Sequence, residues 1–298
     1  VTYYTYDVTD YLQPGGNVLA VDIANGYYCN TDRITEEPDF SYGNAKLIFE
    51  LQYTEDGQRK YIKSDPSTKT RVCNCESTLY EGDRIDFTKE QAPFTESQIA
   101  PPPGGKLTGP QCEDDCVKAV LRPVREKQTD SGTLYDFGIN HTGGLHIRIE
   151  AKAGDVLHIR YAEVLNENGN PNFETSAWHD KNKYTGQRRD LYQENRYILK
   201  EGMNEISPLF SWYCYRYALI EKPRHAKIHT LESMFIYMDV KENGAFSCGE
   251  ESFNRLNRMF LQTLRCNLHS GIVTDCPHRE KRPYTGDGQL IMKAAYYN

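Results

Sequence analysis

No stretch of about 18 consecutive apolar residues occurs in the 298-residue chain, so the sequence offers no membrane-spanning helix. A basic excess is missing too. Lys and Arg number 35 against 42 Asp and Glu, a formal net charge of −7. An acidic surface repels phosphate, so nucleic acid is not an expected partner. No Cys-x-x-Cys pair occurs among the nine cysteines, and an odd count leaves at least one unpaired in a monomer. Cys73 and Cys75 would share one face of a strand. Cys112 and Cys116 flank Glu113, Asp114 and Asp115, where a disulfide or a metal site stays open. Separate thiols are the plainer reading, and the cysteines do not fix the compartment. No charged segment followed by an apolar one stands at Val1, which begins in mid-pattern without an initiator Met. A leader is therefore expected, if anywhere, ahead of Val1. Gly104-Gly105-Lys106 invites a phosphate-loop reading, but the GxxxxGK[ST] spacing is not met and no buried strand precedes it.

Strand patterning dominates what is present. The 22 Tyr suit strands, and their ring faces also suit stacking on the apolar side of a sugar. Pro14-Gly15-Gly16-Asn17 predicts a turn, and the apolar run from Val18 to Ile23 a strand after it. Leu47, Phe49, Leu51 and Tyr53 alternate with polar or outward positions. Glu55-Asp56-Gly57 then predicts a turn into a second strand from Arg59 to Ser64. Residues 100–109, APPPGGKLTG, read as linker. Beyond them Leu145, Ile147 and Ile149, then Leu157, Ile159 and Tyr161, alternate with polar residues, and Trp212 to Glu221 reads as another long strand. A polar loop from Asn166 to Gln187 interrupts the pattern. Near residue 247 the period changes. Phe253, Leu256, Phe260 and Leu264 fall on one helical face, with Ser247 or Ser252 as candidate caps, and a second helix is expected near Gly288. The expected organisation is a β-sandwich domain over 1–99, a linker over 100–116, a second β-sandwich over 117–237 and the start of a helical domain over 238–298.

Between the two helical stretches lies TDCPHREKRPYTGDGQ, from Thr274 to Gln289. It gathers the carboxylates Asp275, Glu280 and Asp287 among the cations Arg279, Lys281 and Arg282. Pro277, Pro283 and Gly286 are expected to shape it as a loop. Cleaving a glycosidic bond needs a protonated carboxylic acid on the leaving oxygen and a second carboxylate across the ring. Clustered carboxylates help one another retain a proton, and an Arg can orient a carboxylate through a forked pair. The flanking cations Arg279 and Lys281 work against an acid role for Glu280 unless they point elsewhere. On composition alone a solvated, salt-bridged surface loop remains equally open. Cys276 and His278 make an incomplete metal set, two ligands without a second matching pair.

The string DCPHREKRPYTGDGQ resembles the acid motif of glycoside hydrolase family 78, the bacterial α-L-rhamnosidases. TYDVTDYLQPGGNVLAVDIANGYY resembles that family's N-terminal sandwich. LYDFGINHTGGLHIRI, HIRYAEVLNENGNP and FSWYCYRYALIE resemble its next β domain, and GAFSCGEESFNRLNRMF resembles the entry to its catalytic helices. The resemblance covers nearly the whole chain. It implies a mainly β fold: two consecutive jelly-roll-like β-sandwich domains, then the first helices of a truncated α/α six-hairpin toroid. It implies Glu280 as general acid, with Asp275, Asp287, Arg279 and Tyr284 as substrate-binding residues. Tyr284 stands where many members have Trp. Some members carry the acid one residue later, where this chain has Lys281. The resemblance also implies inversion at the anomeric carbon, with a general base Glu far downstream, so that residues 1–298 alone are expected to be inactive. No cofactor and no metal are expected. The implied partner is a rhamnose-containing oligosaccharide or glycoside, a homodimer stays open, and export from a bacterium is the expected localisation. Two rival readings remain: an inactive carbohydrate-binding protein, and a toroid glycosidase acting on another sugar.

Overall fold

The computed structural model describes every residue except 25, 27, 30–41, 81, 103, 182–187, 280, 282 and 283. The chain is mainly β, as the alternating patterns predict, with two α-helices among the described residues of its C-terminal part. It divides into two compact units. One holds the described parts of Val1–Thr31, Glu37–Asn74 and Lys89–Pro110, the other Cys75–Thr88 and Gln111–Asn298.

In the first unit β1 (Glu50–Glu55) and β2 (Gln58–Lys63) form the expected antiparallel hairpin. Asp56 and Gly57 both take positive φ, 52° and 76°. That pair matches the twist of the flanking strands, and Asp-Gly is a favoured sequence for it. Lys69–Thr70 pairs with Thr95–Glu96. The Pro14-to-Asn17 turn is present, closed by the Asn17 amide on the Gln13 and Gly15 carbonyls at 2.8 and 3.2 Å. The run after it corrects an expectation: Val18, 93% exposed, and its neighbours to Ile23 join no ladder among the described residues. An apolar run becomes a strand only where a partner edge meets it.

The second unit is built on a ten-stranded sheet. Its strands are β3 (Cys75–Thr78), β4 (Gly82–Asp86), β5 (Asp115–Leu121), β6 (Arg125–Gln128), β7 (Thr133–Ala151), β8 (Val156–Ala162), β9 (Glu194–Ile198), β10 (Gly202–Ile206), β11 (Tyr213–Glu221) and β12 (Lys227–Met238). The path runs β3-β4-β9-β8-β11-β7-β12-β5, with β6 and β10 also pairing with β7. The 19-residue β7 changes partners along its length. Its first half pairs with β6 and β11, its second with β10 and β12. The predicted alternation is the core: Leu145, Ile147, Ile149, Leu157, Ile159 and Tyr161 are all at most 2% exposed. Residues 75–88 bring β3 and β4 into this unit, β4 running parallel to β9.

After the sheet comes α1 (Glu251–Asn267). Its N-cap is Glu250, whose carboxylate accepts from the Ser252 amide and hydroxyl. Ser252 is thus a partner of the cap, and Ser247 takes no part in it. The predicted apolar face is present, with Phe253 and Leu256 exposed and Phe260 and Leu264 half-buried. The second helix, α2 (Thr285–Tyr296), starts three residues ahead of the expected Gly288, so Gly286 lies inside it.

Candidate functional site

The acid stretch begins where α1 ends. Leu268–His269 and Ile272–Val273 form a small hairpin turned by Ser270 and Gly271, at φ 52° and 82°. Asp115 holds this turn: its carboxylate takes the Ser270 amide at 2.9 Å and pairs with His269 Nδ1 at 2.8 Å. The His269 ring stacks on Trp212, centroids 3.8 Å apart and planes at 12°. Thr274 closes the hairpin back onto Asn267, amide to carbonyl at 2.8 Å.

Asp275 is exposed, and its carboxylate accepts the Cys276 amide at 2.6 Å. Cys276 and Pro277 are buried. His278 is half-buried, its Nδ1 3.6 Å from the Glu163 carboxylate. Burial pushes the His278 pKa down, with Arg279 adding to the effect, while Glu163 and Asp275 oppose it. Arg279 is exposed at the surface of a cleft. Glu280, the expected acid, lies outside the described residues, as do Arg282 and Pro283.

Lys281 differs from what a flanking surface charge suggests. It is 2% exposed, and its ammonium donates to the Leu79 carbonyl at 2.8 Å and to Ser211 Oγ at 3.1 Å. It also sits over the rings of Trp212 and Tyr213, 5.1 and 4.6 Å from their centroids. The cage beneath it is stiff. Tyr213 donates its hydroxyl to the Glu194 carbonyl at 2.8 Å and stacks on Tyr161. Gly82 passes so close to that hydroxyl that no Cβ would fit. Asp83 lies nearby, its carboxyl pKa raised by burial although Ser77, Tyr197 and the Lys281 charge pull it down.

Tyr284 is half-exposed and precedes α2 as its N-cap residue, and Asp287 stands in that helix's first turn. A carboxylate there faces the positive end of the helix dipole. A cleft of about 260 Å³, counting space open to solvent, is lined by Tyr80, Trp178, Tyr192 and Tyr213 with His278, Arg279 and Lys281. Of the four expected site residues that are described, Arg279 lines it and Asp275, Tyr284 and Asp287 do not. Asp275, Tyr284 and Asp287 bracket the stretch in sequence. Sequence reasoning missed Glu163, Trp178, Trp212 and the buried role of Lys281. The one available signal was the motif's own Lys281, whose direction the sequence left open. Among the described residues no group of three or more His, Cys, Asp or Glu could hold a metal ion.

Residues 1–103 match the α-L-rhamnosidase N-terminal domain, 126–237 the bacterial α-L-rhamnosidase concanavalin-like domain, and 241–298 the bacterial α-L-rhamnosidase six-hairpin glycosidase domain. The chain belongs to the bacterial α-L-rhamnosidase family. An α-L-rhamnosidase of Formosa agariphila is 26% identical over 318 residues, covering 99% of this chain and 32% of that protein. One from Streptomyces avermitilis is 26% identical over 314 residues, covering 100% of this chain and 29% of that protein. The chain thus spans about a third of the length of these curated relatives. Among solved structures, the α-L-rhamnosidase from Dictyoglumus thermophilum superposes with a TM-score of 0.73 at 29% identity, over 84% of this chain and 29% of that one. The native enzyme from Aspergillus terreus shares the fold, with a TM-score of 0.67 at 24% identity over 81% of this chain and 28% of that one.

Proposed function

We propose that the protein is a glycoside hydrolase that releases terminal α-L-rhamnose from plant glycosides or polysaccharides, with inversion at the anomeric carbon. The observation that carries this reading is the acid stretch itself. Its carboxylates follow α1 in a segment matched to the glycosidase domain of the rhamnosidase family. In this account Glu280 protonates the glycosidic oxygen as the bond to the anomeric carbon breaks. A water on the opposite face attacks that carbon and loses its proton to a second carboxylate. Inverting geometry leaves roughly 6.5–9.5 Å between the two carboxyls for that water. Asp275 and Asp287 accept hydrogen bonds from rhamnose hydroxyls, Arg279 orients a neighbouring carboxylate or the sugar, and Tyr284 shapes the pocket wall. The Lys281 ammonium donates to Leu79 and Ser211 and lies over two ring faces, which ties the stretch to the sheet. An exported bacterial location is part of the same proposal.

The test is the anomer formed first. Proton NMR of the full-length protein acting on an α-L-rhamnoside is expected to show β-L-rhamnose before mutarotation. Initial release of α-L-rhamnose would contradict the inverting mechanism. Absence of rhamnose release across a panel of α-L-rhamnosides would contradict the substrate.

A further inference from the structure

Lysine is almost never fully buried unless its charge is met. At 2% exposure Lys281 is met by the Leu79 carbonyl at 2.8 Å, the Ser211 hydroxyl at 3.1 Å and two aromatic faces. Its backbone takes φ 49°, a left-handed conformation that glycine or asparagine would adopt more readily. Strain, burial and a buried charge coincide at one residue, and this combination persists only where the surroundings impose it. These side-chain contacts come from the sheet side: the β3–β4 turn supplies Leu79, the approach to β11 supplies Ser211 and Trp212, and β11 itself supplies Tyr213. Trp212 is in turn pressed on His269, so the same cage grips the hairpin from which the acid stretch departs. On the other flank His278 faces Glu163, whose carboxylate is held by the Asn140 amide at 2.9 Å.

We infer that Lys281 is a positioning residue, whose side chain fastens the acid stretch to the β-sheet and thereby serves the proton donation proposed for that stretch. This rests on the reading of the stretch as a glycosidase acid motif. A general acid must stand within hydrogen-bond reach of the oxygen it protonates, and a misplacement of about 1 Å can lower the rate by about 10²-fold.

The experiment uses the full-length protein and two substrates, an α-L-rhamnoside with a sugar aglycone and a dinitrophenyl α-L-rhamnoside. The dinitrophenolate leaves with little help from an acid, whereas the sugar alkoxide needs its proton. Lys281→Met is expected to lower kcat on the sugar aglycone by about 10²-fold, and on the dinitrophenyl substrate by under about fivefold, with KM changed less than about threefold. Lys281→Arg, which keeps the charge, is expected to recover part of the loss. Equal losses on both substrates, or no loss, would overturn the inference. If Lys281→Met fails to fold, Ser211→Ala removes one acceptor and is expected to show a smaller loss with the same substrate bias. An unbiased loss there, or none, counts equally against it. Glu280→Gln run alongside separates the two levels. A biased loss in Glu280→Gln without one in Lys281→Met would overturn the inference and leave Glu280 as the acid, whereas no biased loss in Glu280→Gln would remove the acid reading and the inference with it.

Discussion

His141 lies at 0% exposure among Phe137, Tyr215 and Phe235, its Nδ1 on the Ile139 carbonyl at 3.1 Å and its Nε2 on Ser233 Oγ at 2.5 Å. Burial pushes its pKa down from 6.5 to about 4. The unfolded chain therefore binds the proton more readily than the folded one. Stability should be full above about pH 6.5 and be lost as the pH falls towards 4, by up to about 3 kcal/mol from this one group. Urea unfolding at pH 7, 5.5 and 4.5 checks this, with His141→Gln expected to flatten the dependence. An unchanged slope in that variant would show that other groups carry it. On either side of His141, Thr142 is fully buried and the Asn140 amide donates to Glu163. At this scale the sequence was least legible. Glu163 and Lys281 read as ordinary charges in polar strings. Only the fold shows that one faces His278 and the other is caged.

Elements were legible wherever a local rule sufficed. The hairpin β1–β2 follows from Asp56-Gly57, and α1 from a single apolar face. The start of α2 did not, because Gly286 suggested a break while the helix begins at Thr285 regardless. The turn at Ser270 and Gly271 shows what local rules leave out. Gly271 has φ 82°, and a Cβ there would come within 2.5 Å of Cys112 Sγ. Gly271→Ala should therefore destabilise the protein by about 1–3 kcal/mol, read as a lower urea midpoint at unchanged slope. Adding Cys112→Gly, which removes both Sγ and Cβ, should restore part of that loss. Full additivity of the two changes would contradict the contact.

For the whole molecule, the mainly β class and the helical C-terminal part were readable from periodicity. The pairing of strands distant in sequence was not. The Asp83 amide donates to Asn195 Oδ1 across 112 residues, and nothing local in GDRID announces that β4 will run parallel to β9. This long-range step brings Leu79 to the Lys281 ammonium and Asp83 into reach of its charge. In the candidate site the sequence singled out the acid stretch, while the cage around Lys281 came only with the fold. The account turns on Glu280 as the proton donor. Its most direct test is the turnover of full-length Glu280→Gln on an α-L-rhamnoside with a sugar aglycone. A fall in kcat of about 10²–10⁴-fold is the predicted result, and a rate within about twofold of the unaltered enzyme would contradict it.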